Sequence, residues 1–154
     1  MCQRCNYTEM LNDRGIDPTP NRIKIMEVIG NNPAPIAARD ILATLKRTDT
    51  INRVTVYRIL DLLVEKGLID RLSSGGRRLV YGLSPNENHP PHPHFQCKSC
   101  GALQCLQPDS ISMNIEDIQR TFAGEIQNVE IRISGICRNC IRSRQAMKHK
   151  TDKK

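Results

Sequence analysis

The sequence has little aromatic character and no long apolar stretch. It contains no tryptophan, three tyrosines and two phenylalanines, and hydrophobic residues make up 38% of its 154 residues. So few large apolar side chains cannot build one extensive core, and small cores are usually completed by metal ions or by oligomerisation. No apolar run approaches the roughly 18 residues of a membrane span, and no hydrophobic segment follows the first four residues as in a secretory signal. We therefore expect a cytoplasmic protein that makes no membrane contact.

The common sequence motifs of enzymes are also missing. There is no P-loop, no GxGxxG fingerprint, no HExxH and no nucleophile elbow. A cysteine-dependent enzyme is one alternative, in which Cys105 and His94 form a nucleophile–base pair. The motif pattern favours the opposite interpretation, a protein that is not an enzyme and has no small-molecule substrate.

The charge is positive and unevenly distributed. The net charge is +7; residues 1–83 carry 13 lysines and arginines against 9 aspartates and glutamates, residues 84–141 carry 4 against 6, and residues 142–154 carry 6 against 1. A basic segment joined to a mildly acidic one is typical of a nucleic-acid-binding domain linked to a module with another role. The basic stretch at 142–154 is expected to be a disordered tail.

Residues 1–83 predict a winged helix-turn-helix domain. Apolar residues recur with helical spacing at 21–30, after Pro35, and from Asn52 to Lys66, where Asn52 is a good N-cap and Gly67 a C-terminal cap. Two strand-like runs at 68–72 and 79–83 are joined by a Ser-Ser-Gly-Gly turn at 73–76 and predict a hairpin. The third helix is then the recognition helix. Its apolar stripe leaves five side chains toward solvent: Arg53, Thr55, Tyr57, Arg58 and Asp61.

Residues 84–141 predict a hinge and a second, smaller module. Four prolines at 84–93 exclude helix and central strand there. Beyond this hinge the pattern indicates strands around Phe95 and at 102–106, an amphipathic helix at 109–123 and a half-exposed strand at 129–133. The module at 94–141 has few apolar residues, so we expect it to complete its core as a homodimer. The predicted fold class is α+β, an N-terminal winged helix-turn-helix followed by a small α/β dimerisation domain.

Two cysteine pairs bracket the second module. Cys97-x-x-Cys100 and Cys137-x-x-Cys140 are separated by 37 residues, and Gly101 follows the first pair, where a tight turn needs glycine. Four thiolates satisfy tetrahedral Zn²⁺ with no open position, so the pattern predicts a structural zinc. Free buried cysteines and a catalytic redox pair are the alternatives. A further pair, Cys2 and Cys5, lies at the chain terminus, and we assign it no function.

Three of the four histidines cluster near the hinge, at His89, His92 and His94. On an extended chain His92 and His94 point the same way, and Cys105 is expected across a short hairpin from His94. These three residues predict an exchangeable regulatory Zn²⁺ site, completed by Asp70 from the first wing strand, with His89 as the reserve ligand. Ligands drawn from both modules would make the site a switch. The alternatives are solvated histidines with a buried Cys105, or a site of different membership.

Over residues 12–140 the sequence resembles the ferric uptake regulator (Fur) family. The resemblance rests on the run Arg-Val-Thr-Val-Tyr-Arg-Ile-Leu at 53–60, on Gly-Leu-Ile at 67–69, on His-x-His-x-x-Cys-x-x-Cys-Gly at 92–101 and on the final cysteine pair. It implies a homodimeric transcriptional repressor that binds AT-rich palindromic double-stranded DNA, with structural zinc and a regulatory metal at the hinge. By this resemblance Arg58 contacts phosphate and Tyr57 contacts bases, and Arg53 and Thr55 share their surface.

Several departures from the family pattern concern the regulatory metal. Iron- and peroxide-sensing members usually have a histidine where this chain has Pro35, a carboxylate where it has Gly82, and a carboxylate where it has Cys105. A second regulatory metal site that many members carry has no match around Val129. One further departure concerns DNA: Asp17 stands where many members have a basic residue that reaches the minor groove. The remaining ligands favour Zn²⁺ over Fe²⁺ or Mn²⁺. The chain is therefore most similar to the zinc uptake regulator branch, with an iron or peroxide sensor as the alternative.

Overall fold

A computed structural model describes residues 5–48, 50–74, 79–126 and 129–151, with side chains given as far as Ala146. The N-terminal part consists of α1 (Tyr7–Asp13), α2 (Pro20–Gly30), α3 (Ala38–Leu45), α4 (Arg53–Glu65), β1 (Ile69–Ser73) and β2 (Leu79–Leu83). The second part consists of β3 (His94–Cys97), β4 (Leu103–Cys105), a 3-10 turn (Pro108–Ser110), α5 (Ile115–Thr121), β5 (Arg132–Gly135) and α6 (Arg138–Thr151). Helices and sheets are both present, which confirms the α+β class.

Local sequence signals set the limits of α4, the predicted recognition helix. The Asn52 side chain accepts a hydrogen bond from the Thr55 amide at 2.8 Å, which satisfies one free donor at the helix start. Gly67 has φ +65°, a left-handed conformation that ends a helix at low cost only with glycine. The predicted apolar stripe is buried against the other helices and the hairpin. The limits predicted for this helix are confirmed to within one residue.

The N-terminal core lies between helices α1 to α4 and the β1–β2 hairpin. The hairpin is antiparallel, with Ile69 paired to Leu83 and Ser73 paired to Leu79. Gly75 and Gly76 of the predicted turn lie outside the described residues. Helix α1 adds one fully buried side chain, Leu11, to this core. We did not predict α1, because a helix of seven residues with a single buried apolar residue has no readable periodicity.

The second module is built on a three-stranded sheet of order β4-β3-β5, in which β3 is antiparallel to β4 and parallel to β5. The helix predicted at 109–123 is wrong in extent: a 3-10 turn at Pro108–Ser110 is followed by the shorter α5. The cause is Asn114, whose side chain accepts from the amides of Glu116 and Asp117 and so begins the helix there. The strand predicted at 129–133 begins instead at Arg132, which pairs with His94.

The disordered tail predicted at 142–154 is also wrong over its described part, because α6 continues through Thr151. The helix begins beside the second cysteine pair and contains neither proline nor glycine. Its arginine, glutamine, alanine, methionine and lysine residues are good helix formers, and their propensity outweighs the high charge. Between β2 and β3, where we predicted a hinge, Asn86 and His89 exchange two backbone hydrogen bonds, of 2.9 and 3.0 Å. No helix within the described ranges is long and apolar enough to cross a membrane.

Candidate metal centres and DNA-binding helix

The two predicted cysteine pairs meet at one end of the second sheet. The sulfur atoms of all four cysteines lie within 4.8 Å of one another. The Cys97 and Cys140 sulfurs are 3.9 Å apart, and those of Cys100 and Cys137 are 3.8 Å apart. A tetrahedron with Zn–S bonds of about 2.3 Å has sulfur separations of about 3.8 Å. The donor set and its spacing therefore fit a tetrahedral zinc ion.

The backbone around Cys97 shapes this group for a metal. Gly101 has φ +72°, and its amide donates to the Cys97 carbonyl at 2.9 Å to close the first turn. Backbone N–H groups of Cys100 and Cys137 lower the pKa of the Cys97 thiol to about 6, and the Cys137 amide lies 3.3 Å from the sulfur. The thiolate is the form that binds a metal. The fold thus prepares an anionic ligand at this position.

Three of the four predicted regulatory ligands form a second cluster. The ligand atoms of His92, His94 and Cys105 lie within 4.8 Å of one another. His94 pairs directly with Cys105 across β3 and β4, as we expected from the sequence. The rings of His92 and His94 are 4.9 Å apart between centroids. Two imidazoles and one thiol therefore converge on a common point.

Two ring nitrogens in this cluster are buried and have no hydrogen-bond partner among the described residues: His92 Nε2 and His94 Nδ1. A buried polar atom without a partner is costly, so it points to a ligand. His92 Nδ1 lies 3.1 Å from the Pro90 carbonyl; donation there leaves Nε2 with a free lone pair. Burial, followed by the nearby His92, lowers the pKa of His94 and favours the neutral ligand form. Burial raises the pKa of Cys105, whose proton a metal would have to displace.

Asp70 and His89 lie near this cluster and outside it. Both line the same cavity of about 420 Å³ between the two modules. The Asp70 carboxylate accepts a hydrogen bond from the Ser84 hydroxyl at 2.7 Å, and the His89 ring is 4.9 Å from the His92 ring. Glu130, which we did not single out from the sequence, also lines the cavity. The structure thus brings three predicted ligands together and places two candidates for the fourth at the cavity wall.

The predicted DNA-contacting residues lie on one side of α4. Arg53 and Arg58 are exposed, whereas Thr55 and Tyr57 are half-buried. The Tyr57 ring packs partly against the core, with the Arg53 guanidinium 5.3 Å from its centroid. This helix therefore presents two arginines and part of one aromatic side chain to solvent.

Comparison with known proteins places these features in one family. The profile of the ferric uptake regulator family matches residues 2–134. The ferric uptake regulation protein of Synechococcus elongatus is 30% identical over 136 residues, covering 86% of this chain and 91% of that protein. The ferric uptake regulator structure from Vibrio cholerae, described as revealing a rearrangement of its DNA-binding domains, has a TM-score of 0.68 and 26% identity, covering 86% and 100% of the two chains. A zinc uptake regulator solved in complex with zinc and DNA has a TM-score of 0.58 and 25% identity, covering 89% and 91%. The chain belongs to the ferric uptake regulator family.

Proposed function

We propose that this chain is a zinc-responsive transcriptional repressor of metal uptake genes that binds AT-rich palindromic operators as a homodimer. Membership of the family makes it a metal-responsive DNA-binding regulator; the zinc specificity, the operator and the residue roles are our proposal. The observation that carries it is the cluster of His92, His94 and Cys105 at the junction of the modules, in which two ring nitrogens have no hydrogen-bond partner among the described residues.

The chemistry of this cavity favours zinc over iron. Pro35 and Gly82, which replace the histidine and carboxylate implied for iron- and peroxide-sensing relatives, both line the cavity and offer no side-chain ligand. Two imidazoles and a thiolate suit Zn²⁺, whereas Fe²⁺ and Mn²⁺ prefer more oxygen ligands. An iron sensor is the second candidate, because two carboxylates, Asp70 and Glu130, lie at the cavity wall.

The metals have separate roles in this proposal. The four clustered cysteines would hold a structural zinc that ties β3 to the start of α6. His92, His94 and Cys105 would hold the regulatory zinc, with Asp70 or His89 as the fourth ligand. With Asp70 as the fourth ligand, the ion would link the winged-helix domain at 1–83 to the module beyond the hinge, and occupancy would select one orientation of the two.

Dimerisation is supported by the apolar surface of the second module. Seven large hydrophobic side chains there are at least 37% exposed: Met113, Ile115, Ile118, Phe122, Val129, Ile133 and Ile141. Single exposed hydrophobic residues are ordinary, but Met113, Ile115 and Val129 line one apolar groove, and a contiguous exposed apolar surface marks an association site. In the dimer the two α4 helices would meet successive major grooves about 34 Å apart.

Replacing Cys105 with aspartate should change the metal preference of the regulatory site. An oxygen ligand in place of the thiolate should lower the ratio of Zn²⁺ to Mn²⁺ affinity by on the order of tenfold. Cys105→Ser is the matched control, because it removes the thiolate and adds no carboxylate. Competitive metal titration of the dimer with its structural zinc bound measures the affinity ratio. An unchanged ratio in Cys105→Asp would show that Cys105 is not a ligand.

Replacing Arg58 with alanine should weaken binding to every DNA sequence. Loss of one phosphate contact should reduce the slope of log affinity against log salt by about one. Fluorescence anisotropy across a salt series measures both quantities, with Arg120→Ala as a control in the second module. If affinity and slope match the unmodified protein, α4 is not the DNA-contacting helix.

A further inference from the structure

The two modules touch at a second place, where the end of the wing meets the first cysteine turn. The Ser74 hydroxyl, in a residue only 4% exposed, donates to the Gly101 carbonyl. The Arg132 guanidinium of β5 donates to the Ser73 carbonyl at 3.1 Å. The wing strand β1 therefore ends in hydrogen bonds to the second module. We did not foresee these contacts from the sequence.

A small apolar cluster lies beside these hydrogen bonds. It contains Ala37, Val80 and Leu103, at 7%, 4% and 6% exposure, with Leu72 packed against it. Ala37 precedes α3, and Leu72 and Val80 belong to the wing hairpin. Leu103 is the one member from the second module among the described residues. The Leu103 side chain therefore fills an apolar site of the winged-helix domain.

Leu103 and Cys105 are the first and last residues of the three-residue strand β4. Alternate residues of a strand point to the same face, so both side chains leave the sheet on the side of the winged-helix domain. The strand is held in register by pairs with Gln96 and His94 of β3. One short strand thus carries the proposed metal ligand Cys105 at one end and the interdomain contact residue Leu103 at the other.

We propose that Leu103 is a positioning residue that couples the regulatory metal site to the orientation of the wing and the recognition helix. This inference rests on the proposed function. A metal held by Cys105 fixes β4, and β4 fixes the hairpin through Leu103. The hairpin is joined to α4 through their shared core, in which Ile69 of β1 and Leu60 of α4 are both buried. Coupling through Leu103 needs no metal ligand from the winged-helix domain.

The test compares Leu103→Ala with Leu79→Ala in the full-length zinc-loaded dimer. Leu79 lies on the same hairpin and is 46% exposed, so it is a matched truncation outside the contact. Operator affinity is measured with and without free Zn²⁺, and zinc affinity with and without operator DNA. The factor by which free Zn²⁺ raises operator affinity should be on the order of tenfold smaller in Leu103→Ala than in the wild type. Linkage requires operator DNA to enhance zinc binding less by the same factor.

A merely structural role for Leu103 would lower the melting temperature and leave both enhancements at their wild-type values, which would overturn the proposal. Equal losses in Leu79→Ala would overturn it too. If Leu103→Ala does not fold, the smaller change Leu103→Val decides: a reduced enhancement supports the proposal and an unchanged one rejects it. A wild-type protein without any zinc response would refute the proposed function itself, whereas a responsive wild type with an equally responsive Leu103 variant would refute only this inference.

Discussion

Replacing Cys100 with serine is expected to release the structural zinc and unfold the second module. The four sulfurs lie at the separations of a tetrahedral zinc site, and few apolar residues of this module are buried. Metal binding at such a site is folding free energy, on the order of 10 kcal/mol at neutral pH. Zinc content of the purified protein, together with its mass in solution, should show the loss of the ion and of the dimer.

Cys105→Ser is the control for this experiment, because it removes a thiol from the same sheet and leaves the four-cysteine group intact. We expect it to keep about one tightly held zinc per chain and the dimer. Two results together would contradict the structural role: a wild-type protein that holds no tightly bound zinc, and a Cys100→Ser variant that is a soluble dimer with an unchanged melting temperature.

Replacing His92 with alanine is expected to abolish the dependence of DNA binding on metal. Its Nε2 is buried with no hydrogen-bond partner among the described residues, and His92 clusters with His94 and Cys105, so the variant should lose one ligand of the proposed regulatory ion. Coupling between two sites is commonly worth up to about a hundredfold in affinity, and that enhancement should disappear. Metal analysis should show bound zinc falling from about two per chain to about one, with the dimer retained.

Two further variants identify the fourth ligand and serve as controls. If Asp70 completes the site, Asp70→Ala should lose the response and His89→Ala should keep it; if His89 completes it, the outcomes exchange. Asp70 Oδ1 accepts a hydrogen bond from the Ser84 hydroxyl, which would orient the carboxylate if it binds the metal. Zinc-dependent operator binding that persists in both His92→Ala and Cys105→Ala would place the regulatory site elsewhere.

The parts of the structure that sequence predicted well are those governed by local chemistry. Asn52 and Gly67 mark the ends of α4 because capping depends on a few neighbouring residues. The spacing of the cysteine pairs and the alternation of His92 and His94 are equally local. The position of Cys105 beside His94 followed from the short hairpin that pairs the two residues.

Two of the features that we predicted wrongly depend on local signals given too little weight, and a third depends on side chains that meet across the fold. Periodicity alone extended one helix over 109–123, whereas the Asn114 cap begins it later. Charge alone predicted a disordered tail, whereas propensity continues α6. The contact of Ser74 with Gly101 joins residues 27 positions apart in different modules, and no local pattern predicts it.

The most direct test of the central claim is the operator affinity of the wild-type dimer, measured against controlled free Zn²⁺, Fe²⁺ and Mn²⁺. The donor set of His92, His94 and Cys105 predicts that Zn²⁺ raises the affinity at the lowest free concentration of the three metals. Tightening by Fe²⁺ with no response to Zn²⁺ would contradict the account and assign the chain to the iron sensors of its family.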